Sequence, residues 1–247
     1  MTVSLIKPTN EVRPMDYFGR LYATRRVNNI CYLPLNDTAL VGGWGVRDYS
    51  VFDYTKQVNG SISLGYPGPF GWFPGVYYGG TTGTYINLIS LNGLITTWGG
   101  TITFMVKCAN WQEGVAREFY WFYVDGNNYM FADRQVSGNV HFAYRGAGVY
   151  VGVNTGVIPS SRKDWVSFAV TWNIPVSSYL KCYVDGVLVD SATGLSVGSM
   201  GLGSATLGSS PNIPGTTDNW LGGLSHFSVW TTALTDSEIL SIGGVRK

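Results

Sequence analysis

The chain has 247 residues, of which 45% are hydrophobic, 15% are aromatic and 13% are charged. All-β sandwiches of roughly 200–250 residues commonly form one domain, so this length fits a single large core. The formal net charge is +1, which excludes a strong overall electrostatic field that would attract nucleic acid. The 33 glycines suit tight turns and the aromatic residues suit half-buried strands, so the composition favours an all-β fold.

The first 29 residues differ from the rest of the chain in charge and in pattern. They contain five basic residues, two acidic residues and two prolines, with little alternation of polar and apolar positions. This segment is interpreted either as a strap packed on its own domain or as an arm that docks on a neighbour. The candidate docking residues of the arm are Arg13, Arg20, Arg25 and Arg26. Residues 30–247 are predicted to form the domain.

The start of the chain carries no targeting pattern. Met1-Thr-Val-Ser-Leu-Ile-Lys-Pro lacks the basic start and long apolar run of a signal peptide, and no stretch approaches 18 apolar residues. We therefore expect no membrane insertion. We also expect a protein that remains inside the producing cell until lysis or a dedicated export machine releases it.

From Cys31 onward the sequence indicates short strands joined by turns. Residues 101–108 alternate, with Ile102, Phe104 and Val106 on one face. Residues 119–124 are continuously apolar, and Asp125-Gly126 then predicts a tight hairpin turn into residues 129–131. Further strands are predicted at residues 140–144, 149–153, 165–172 and 224–230, with a second Asp-Gly hairpin across residues 181–189.

One helix is predicted near the C-terminus. Thr235-Asp-Ser-Glu238 forms a capping box, in which the threonine oxygen accepts from the third helical amide and Glu238 bonds back to the cap amide. The helix is short, and no strands alternate with helices elsewhere. A parallel sheet is therefore excluded in favour of antiparallel sheets.

The cysteines indicate a protein that folds with reduced thiols. Cys31, Cys108 and Cys182 are widely spaced and each lies in an apolar, strand-like run. An odd number of cysteines without a Cys-x-x-Cys pair argues against a zinc site. We expect all three to be buried as small hydrophobic side chains.

Four segments in order resemble one known family. They are Tyr32-Leu-Pro-Leu-Asn-Asp37, Thr101-Ile-Thr-Phe-Met-Val-Lys107, Trp165-Val-Ser-Phe-Ala-Val-Thr-Trp172 with Tyr183-Val-Asp-Gly186, and Gly222 to Trp230 followed by Ala233-Leu-Thr-Asp-Ser-Glu-Ile239. This ordered set, over roughly residues 30–243, resembles the laminin-G-like jelly roll, which is related to concanavalin A and the pentraxins. The resemblance implies an all-β, two-sheet antiparallel jelly-roll sandwich with one short C-terminal helix.

The spacing of the acidic residues argues against catalysis. Retaining glycoside hydrolysis needs two carboxylates about 5–5.5 Å apart, and residues two apart on a strand share a face. Three acidic pairs are each five apart and so point to opposite faces of a regular strand: Asp48 with Asp53, Glu113 with Glu118, and Asp185 with Asp190. Asp236 and Glu238 are two apart but lie in the predicted helix cap. The two histidines, His141 and His226, have no catalytic context. We expect no enzymatic activity, with a glycoside hydrolase of the same fold as a remote alternative.

Calcium is the one candidate cofactor, because the resemblance implies an ion held at one edge of the sandwich by loop oxygens. The candidate ligands are Asp37, Asp48, Asp218 and Asn219. Ser225-His226 stands where the family has an acidic pair, which removes one ligand. The alternative is that Asp48 and Asp218 simply cap turns.

An aromatic loop supplies the candidate ligand-binding residues. The segment 65–78 is rich in aromatic and turn residues and includes Trp72, Phe73, Tyr77 and Tyr78, while Trp44 and Trp111 lie in other loop-like stretches. Three interpretations stay open for these side chains. The loop folds over its own sandwich, it anchors a protein partner, or it stacks on sugar rings.

These observations predict a non-catalytic binding protein. We expect a virion structural protein, a capsid decoration or tail-associated domain of a bacteriophage assembled in the host cytoplasm, because the fold, the reduced cysteines and the basic arm suit that setting. Its partners would be other virion proteins or further copies of itself as a homo-oligomer, together with host-surface glycans. The alternative is a carbohydrate-binding adhesion module of a secreted or cell-surface protein.

Overall fold

The computed structural model describes residues 28–50, 52, 54–69, 74–199, 201–210 and 218–243. Almost all of the predicted arm, including its four arginines, lies outside these residues. Trp72 and Phe73 of the aromatic loop also lie outside them.

The described residues form two antiparallel sheets of eight strands each. Sheet I has the order β14-β13-β12-β7-β16-β5-β4, with β1 also paired to β16. Its strands are β1 (Asn29–Leu33), β4 (Ile62–Tyr66), β5 (Gly75–Gly79), β7 (Gly99–Lys107), β12 (Val166–Asn173), β13 (Tyr179–Val184), β14 (Val187–Thr193) and β16 (Leu221–Trp230).

Sheet II has the order β11-β10-β9-β8-β15-β6-β3-β2. Its strands are β2 (Gly45–Val46), β3 (Lys56–Asn59), β6 (Tyr85–Asn87), β8 (Arg117–Asp125), β9 (Asn128–Arg134), β10 (Asn139–Gly146), β11 (Val149–Val157) and β15 (Ser204–Leu207). The described residues also form two helices, α1 (Ile174–Ser177) and α2 (Asp236–Gly243), and a 3-10 turn at Ile89–Leu91. The predicted jelly-roll sandwich with one short C-terminal helix is confirmed.

The main core lies between the two sheets and is built on aromatic rings. The ring of Phe104 on β7 lies 5.2 Å from Phe119 on β8 and 5.6 Å from Phe168 on β12. Tilted and edge-to-face contacts of this kind stabilise a core beyond the burial of apolar area alone. The three cysteines are buried and free, as predicted, and burial raises the pKa of Cys182 to about 12.

Helix α2 covers part of the outer face of sheet I. Ile239 packs there in a second small core with Ala169, Tyr183 and Trp230. The capping box forms as predicted, because the Thr235 amide donates to Glu238 Oε2 at 2.8 Å and the Glu238 amide donates to Thr235 Oγ1 at 3.3 Å. Strand β12 is consequently buried on both faces over Val166 to Trp172.

The outer face of sheet II is more open than that of sheet I. Trp121, Phe131 and His141, on three neighbouring strands of this face, are only half-buried. No helix among the described residues has the length and apolar character needed to cross a membrane.

Candidate functional site

A groove of about 680 Å³ opens on the outer face of sheet II. Trp121 and Phe131 form one side of it. Glu118, Asp133 and Asp218 supply three carboxyl groups, and His141, Asn139 and Asn154 stand farther along the face. Ligand pockets commonly enclose about 300–1,000 Å³, so the groove has the size of a small-molecule site.

Strand register brings these side chains together. Glu118 on β8 lies opposite Asp133 on β9, and Asp133 lies opposite His141 on β10. The next pair along β8 and β9 on this face is Trp121 with Phe131. Residues directly opposite on one face of an antiparallel pair have Cβ atoms about 4.5–5.5 Å apart, so each pair is in contact range.

A β-bulge explains how Glu118 and Trp121 share the outer face although they are three residues apart. The β8–β9 register shifts between Glu118 and Tyr120, which inserts Phe119 as the extra residue of a bulge. Phe119 and Tyr120 both point into the core. A bulge re-aims the side chains that flank it, and here it turns Glu118 into the groove.

The aromatic side of the groove is a cross-strand stack. The ring centroids of Trp121 and Phe131 are 4.6 Å apart with an interplanar angle of 18°, and Trp121 lies 5.9 Å from Tyr129. The guanidinium of Arg145 lies 5.7 Å from the Tyr129 ring centroid. These contacts fix the positions of the rings relative to one another on this face of the sheet.

Hydrogen bonds fix the polar side of the groove. Tyr150 Oη lies 2.9 Å from His141 Nε2, and His141 Nδ1 lies 3.2 Å from Asp133 Oδ1. Gln135 Nε2 donates to the other oxygen of Asp133. Both oxygens of the Asp133 carboxylate are therefore engaged, which holds this side chain in one position.

Glu118 stands out among the acidic residues of the groove. Its side chain is 7% exposed, and burial, followed by the neighbouring carboxylates of Asp133 and Asp218, raises its pKa well above the ordinary glutamate value. Within the described part of the chain, Glu118 Oε2 has no hydrogen-bond partner, and the same is true of Trp121 Nε1. One acceptor and one donor are thus left for a ligand in the groove.

Two arginines close to Glu118 and Asp133 in the sequence are engaged outside the groove. Arg117 and Arg134 lie opposite each other on β8 and β9 and both bind the carboxylate of Glu113. Arg117 also donates to the backbone carbonyl of Asn219 at 3.1 Å. The groove lining that the structure describes consequently holds three acidic residues and no lysine or arginine.

Of the aromatic residues predicted to bind ligand, the four that the structure describes do not gather at this groove. Trp44 is 51% exposed and lies beside β2, while Tyr77 is half-buried on β5 of the other sheet. Tyr78 and Trp111 are fully enclosed, and their polar atoms donate to the carbonyls of Leu207 and Arg162. The prediction is corrected for Tyr78 and Trp111, because an enclosed ring has no face to offer a ligand.

The predicted calcium ligand Asp48 has a different partner. Its carboxylate is fully buried, lies 2.9 Å from Lys56 Nζ, and accepts from the amides of Tyr32 and Ser50. Asp37 accepts from the Arg47 amide at 3.1 Å. Asp48 therefore neutralises a buried lysine, and its assignment to a calcium site is corrected.

The other two predicted calcium ligands, Asp218 and Asn219, adjoin the groove. The Asp218 carbonyl accepts from the Glu118 amide at 2.6 Å, and the backbones of Glu118 and Asn219 form an isolated parallel β-bridge. In the described ranges, no group of three or more histidine, cysteine, aspartate or glutamate side chains is arranged to hold a metal ion. The assignment of Asp37, Asp218 and Asn219 to a calcium site stays a prediction.

Two carboxylates do meet in the groove, contrary to what the spacing of acidic residues along single strands predicts. Spacing along the sequence pairs Glu118 with Glu113, whereas the residue directly opposite Glu118 is Asp133 on the neighbouring strand. The Asp125-Gly126 turn was the signal that could have revealed this pair. Counting outward from that turn places Glu118 opposite Asp133 and Trp121 within one residue of Phe131.

The fold and the groove together define a two-sheet jelly-roll domain with an open site on one sheet. A family model described as the Concanavalin A-like lectin/glucanases superfamily matches residues 79–240. The match covers more than half of the chain, and the chain belongs to this superfamily. No curated protein matches the sequence.

Solved structures with this fold include domains of several large proteins. Domain 4 of AbnA, an extracellular GH43 arabinanase from Geobacillus stearothermophilus in complex with arabinotriose, aligns with a TM-score of 0.67 at 16% identity, over 87% of this chain and 98% of that one. The binding domain of botulinum neurotoxin serotype D aligns with a TM-score of 0.64 at 14% identity, over 88% of this chain. This chain spans 51% of that toxin domain.

A third similar structure is shorter. The CBM40 domain of the Ruminococcus gnavus IT-sialidase, bound to α2,3-sialyllactose, aligns with a TM-score of 0.56 at 15% identity. The alignment covers 69% of this chain and 96% of that one. At these identities the likeness is one of fold.

Proposed function

We propose that this protein is a non-catalytic glycan-binding domain whose ligand lies in the groove on sheet II. The observation that carries the proposal is the placement of the stacked Trp121 and Phe131 rings beside two buried polar atoms, Glu118 Oε2 and Trp121 Nε1, that lack partners among the described residues. A sugar ring offers an apolar face to the aromatic rings and hydroxyl groups to the two polar atoms.

The chemistry of the groove supports this assignment. Specific small-molecule sites combine aromatic walls with a few fixed polar groups, and Asp133 is fixed by His141 and Gln135. Tyr150, which is 49% exposed, extends the aromatic surface beyond His141. Two of the similar structures hold glycans, arabinotriose in one and sialyllactose in the other, which also supports the proposal.

Substitution of Trp121 tests the proposed site. Trp121→Ala removes the stacking ring, and we expect it to weaken glycan binding roughly tenfold or more, since each tenfold loss equals about 1.4 kcal/mol. Trp44→Ala is the matched control, because it removes an exposed tryptophan outside the groove. A glycan array followed by isothermal titration of the best ligand measures both. Binding that survives in Trp121→Ala and is lost in Trp44→Ala would place the ligand elsewhere.

A second candidate, glycoside hydrolysis at the same groove, is favoured by one observation. Glu118, with its raised pKa, lies opposite Asp133 on the adjacent strand, and hydrolases of this fold use two close carboxyl groups as acid and nucleophile. Binding is preferred over hydrolysis because both oxygens of Asp133 are already bonded to His141 and Gln135. Release of reducing ends by the wild-type protein, abolished in Glu118→Gln, would favour hydrolysis.

We also propose that the domain is a component of a virion that is assembled in the host cytoplasm. The support for it is the sequence: a basic N-terminal segment that suits docking and buried, free cysteines. Labelling of purified particles with an antibody against this protein tests it, with decorated particles as the expected result. An absence of label on every particle type would favour an adhesion module of a secreted or cell-surface protein.

A further inference from the structure

The charge of the groove narrows the class of glycan. The described lining contains the carboxyl groups of Glu118, Asp133 and Asp218, one histidine, and no lysine or arginine. Glu118 is close enough to Asp133 and Asp218 for each of them to disfavour its ionised form. An anionic sugar would add a further negative charge to this group.

We infer that the groove selects a glycan carrying protonated amino groups, such as a chain of β-1,4-linked glucosamine, with one ammonium group bound at Glu118 Oε2. This inference rests on the proposed function of the groove. It adds the ligand class, which the fold and the similar structures do not assign.

The unpartnered oxygen of Glu118 is the first argument for an amine. A buried polar atom without a partner costs about 1–3 kcal/mol, so a ligand that bonds to it recovers that cost. A hydroxyl group supplies one donor, whereas an ammonium group supplies several donors and a positive charge. The ammonium therefore relieves both the missing bond at Glu118 and the repulsion from Asp133 and Asp218.

The aromatic wall is the second argument. Trp121 and Phe131 stand beside the acidic residues, and a cation over an aromatic face gains about 0.5–2 kcal/mol, most at tryptophan. The apolar face of the sugar ring packs on the same rings. An amino sugar thus uses both halves of the groove, while a simple alkyl amine uses only the charged half.

Metal binding and acidic glycans fit the groove less well. The described carboxyl groups are not arranged to hold a metal ion. Arg117 and Arg134 bind Glu113, while Arg145 stacks on Tyr129 and donates to the Gly148 carbonyl, so these three arginines already have partners. We therefore expect no measurable binding of sialyllactose.

Binding of an amine should release a proton from Glu118, and this release can be measured. The groups that face Glu118 are Asp133 from β9 and Asp218 from the segment before β16, with His141 of β10 beyond Asp133. A bound ammonium group favours the ionised form of Glu118, so its raised pKa falls and a proton is released. A neutral glycan leaves the charge balance unchanged and releases none.

The experiment compares two oligosaccharides of equal length, fully deacetylated chitosan and its N-acetylated counterpart. Isothermal titration at a mildly acidic pH, in buffers of different ionisation enthalpy, gives affinity and proton release together. We expect the deacetylated chain to bind roughly tenfold more tightly or better, since hydrogen bonds to charged groups contribute about 1.5–3 kcal/mol. Glu118→Gln, an isosteric change, should bring the affinity ratio close to one and abolish proton release.

Trp121→Ala and the diamine putrescine separate failure of this inference from failure of the proposed function. Equal affinity for both chains, lost in Trp121→Ala, would overturn the amine selection and leave a glycan-binding groove. Putrescine binding as tightly as the deacetylated chain, unaffected by Trp121→Ala, would show recognition of an amine without the sugar and overturn the inference. Tighter binding of sialyllactose than of either chain would also overturn it. No binding of any glycan would overturn the proposed function itself.

Discussion

His226 offers a sharp test of the packing beneath helix α2, because it is buried without a charge. It is 2% exposed, its Nδ1 lies 3.2 Å from Tyr32 Oη, and its ring stacks on Tyr32. Burial lowers the pKa of His226 from 6.5 to about 4. In the unfolded chain the imidazole gains a proton near pH 6.5, whereas in the folded protein it stays neutral until about pH 4.

The magnitude follows from the difference between the two pKa values. Because the unfolded state binds the proton first, acidification favours unfolding, and stability falls as the pH drops from 6.5 toward 4. One pKa unit corresponds to 1.36 kcal/mol, so the loss reaches about 3 kcal/mol at pH 4. A domain stability of about 5–15 kcal/mol makes this a large fraction of the total.

The perturbation is His226→Asn. His226 has a φ of 51°, and asparagine is among the side chains that tolerate this left-handed region. Urea unfolding at a series of pH values, followed by tryptophan fluorescence, gives the free energy of unfolding for both proteins. The carboxyl groups titrate in both, so the difference between the two proteins isolates the histidine. Wild-type and variant curves that fall in parallel from pH 7 to 4 would show that His226 does not contribute to the acid sensitivity of the fold.

Three further predictions concern stability. Trp172→Ala removes a fully buried ring whose Nε1 bonds to the Thr96 carbonyl, and should lower the free energy of unfolding by about 3–5 kcal/mol in urea titration. Glu118→Gln should raise the melting temperature at neutral pH but not at acidic pH. The pKa of Glu118 is raised in the folded protein, so keeping Glu118 costs stability once the pH rises above the ordinary glutamate pKa. An equal rise in melting temperature at both pH values would contradict this. Thr235→Ala removes the cap of α2 and should cost about 1 kcal/mol, and an unchanged unfolding midpoint would show that the cap bond is not needed.

Local chemistry made the strands, turns and helix predictable. The Asp185-Gly186 hairpin forms with positive φ at both residues, 50° and 80°, as the turn type requires. The predicted strand at residues 101–108 corresponds to β7, and that at 224–230 to β16. These features depend on neighbours a few residues away, which the sequence displays directly.

The candidate site was less predictable, because its residues meet across strands. Glu118 and Trp121 face the groove together only through the bulge at Phe119, and a regular alternation would have separated them. Trp111 lies in a loop-like stretch and Tyr78 in the aromatic segment 65–78, and the packed sheets enclose both. Aromatic content along the chain does not reveal which rings the other sheet covers.

The amino-acid sequence by itself determined the all-β class, the hairpin turns and the capped terminal helix, since each follows from side-chain alternation, turn chemistry and hydrogen bonding within a few residues. The tertiary structure alone decided which carboxyl groups and rings meet. Strand pairing joins Glu118 to Asp133 and Trp121 to Phe131, and helix α2 packs on sheet I. Such contacts depend on register and layer packing between distant segments, which no local pattern specifies.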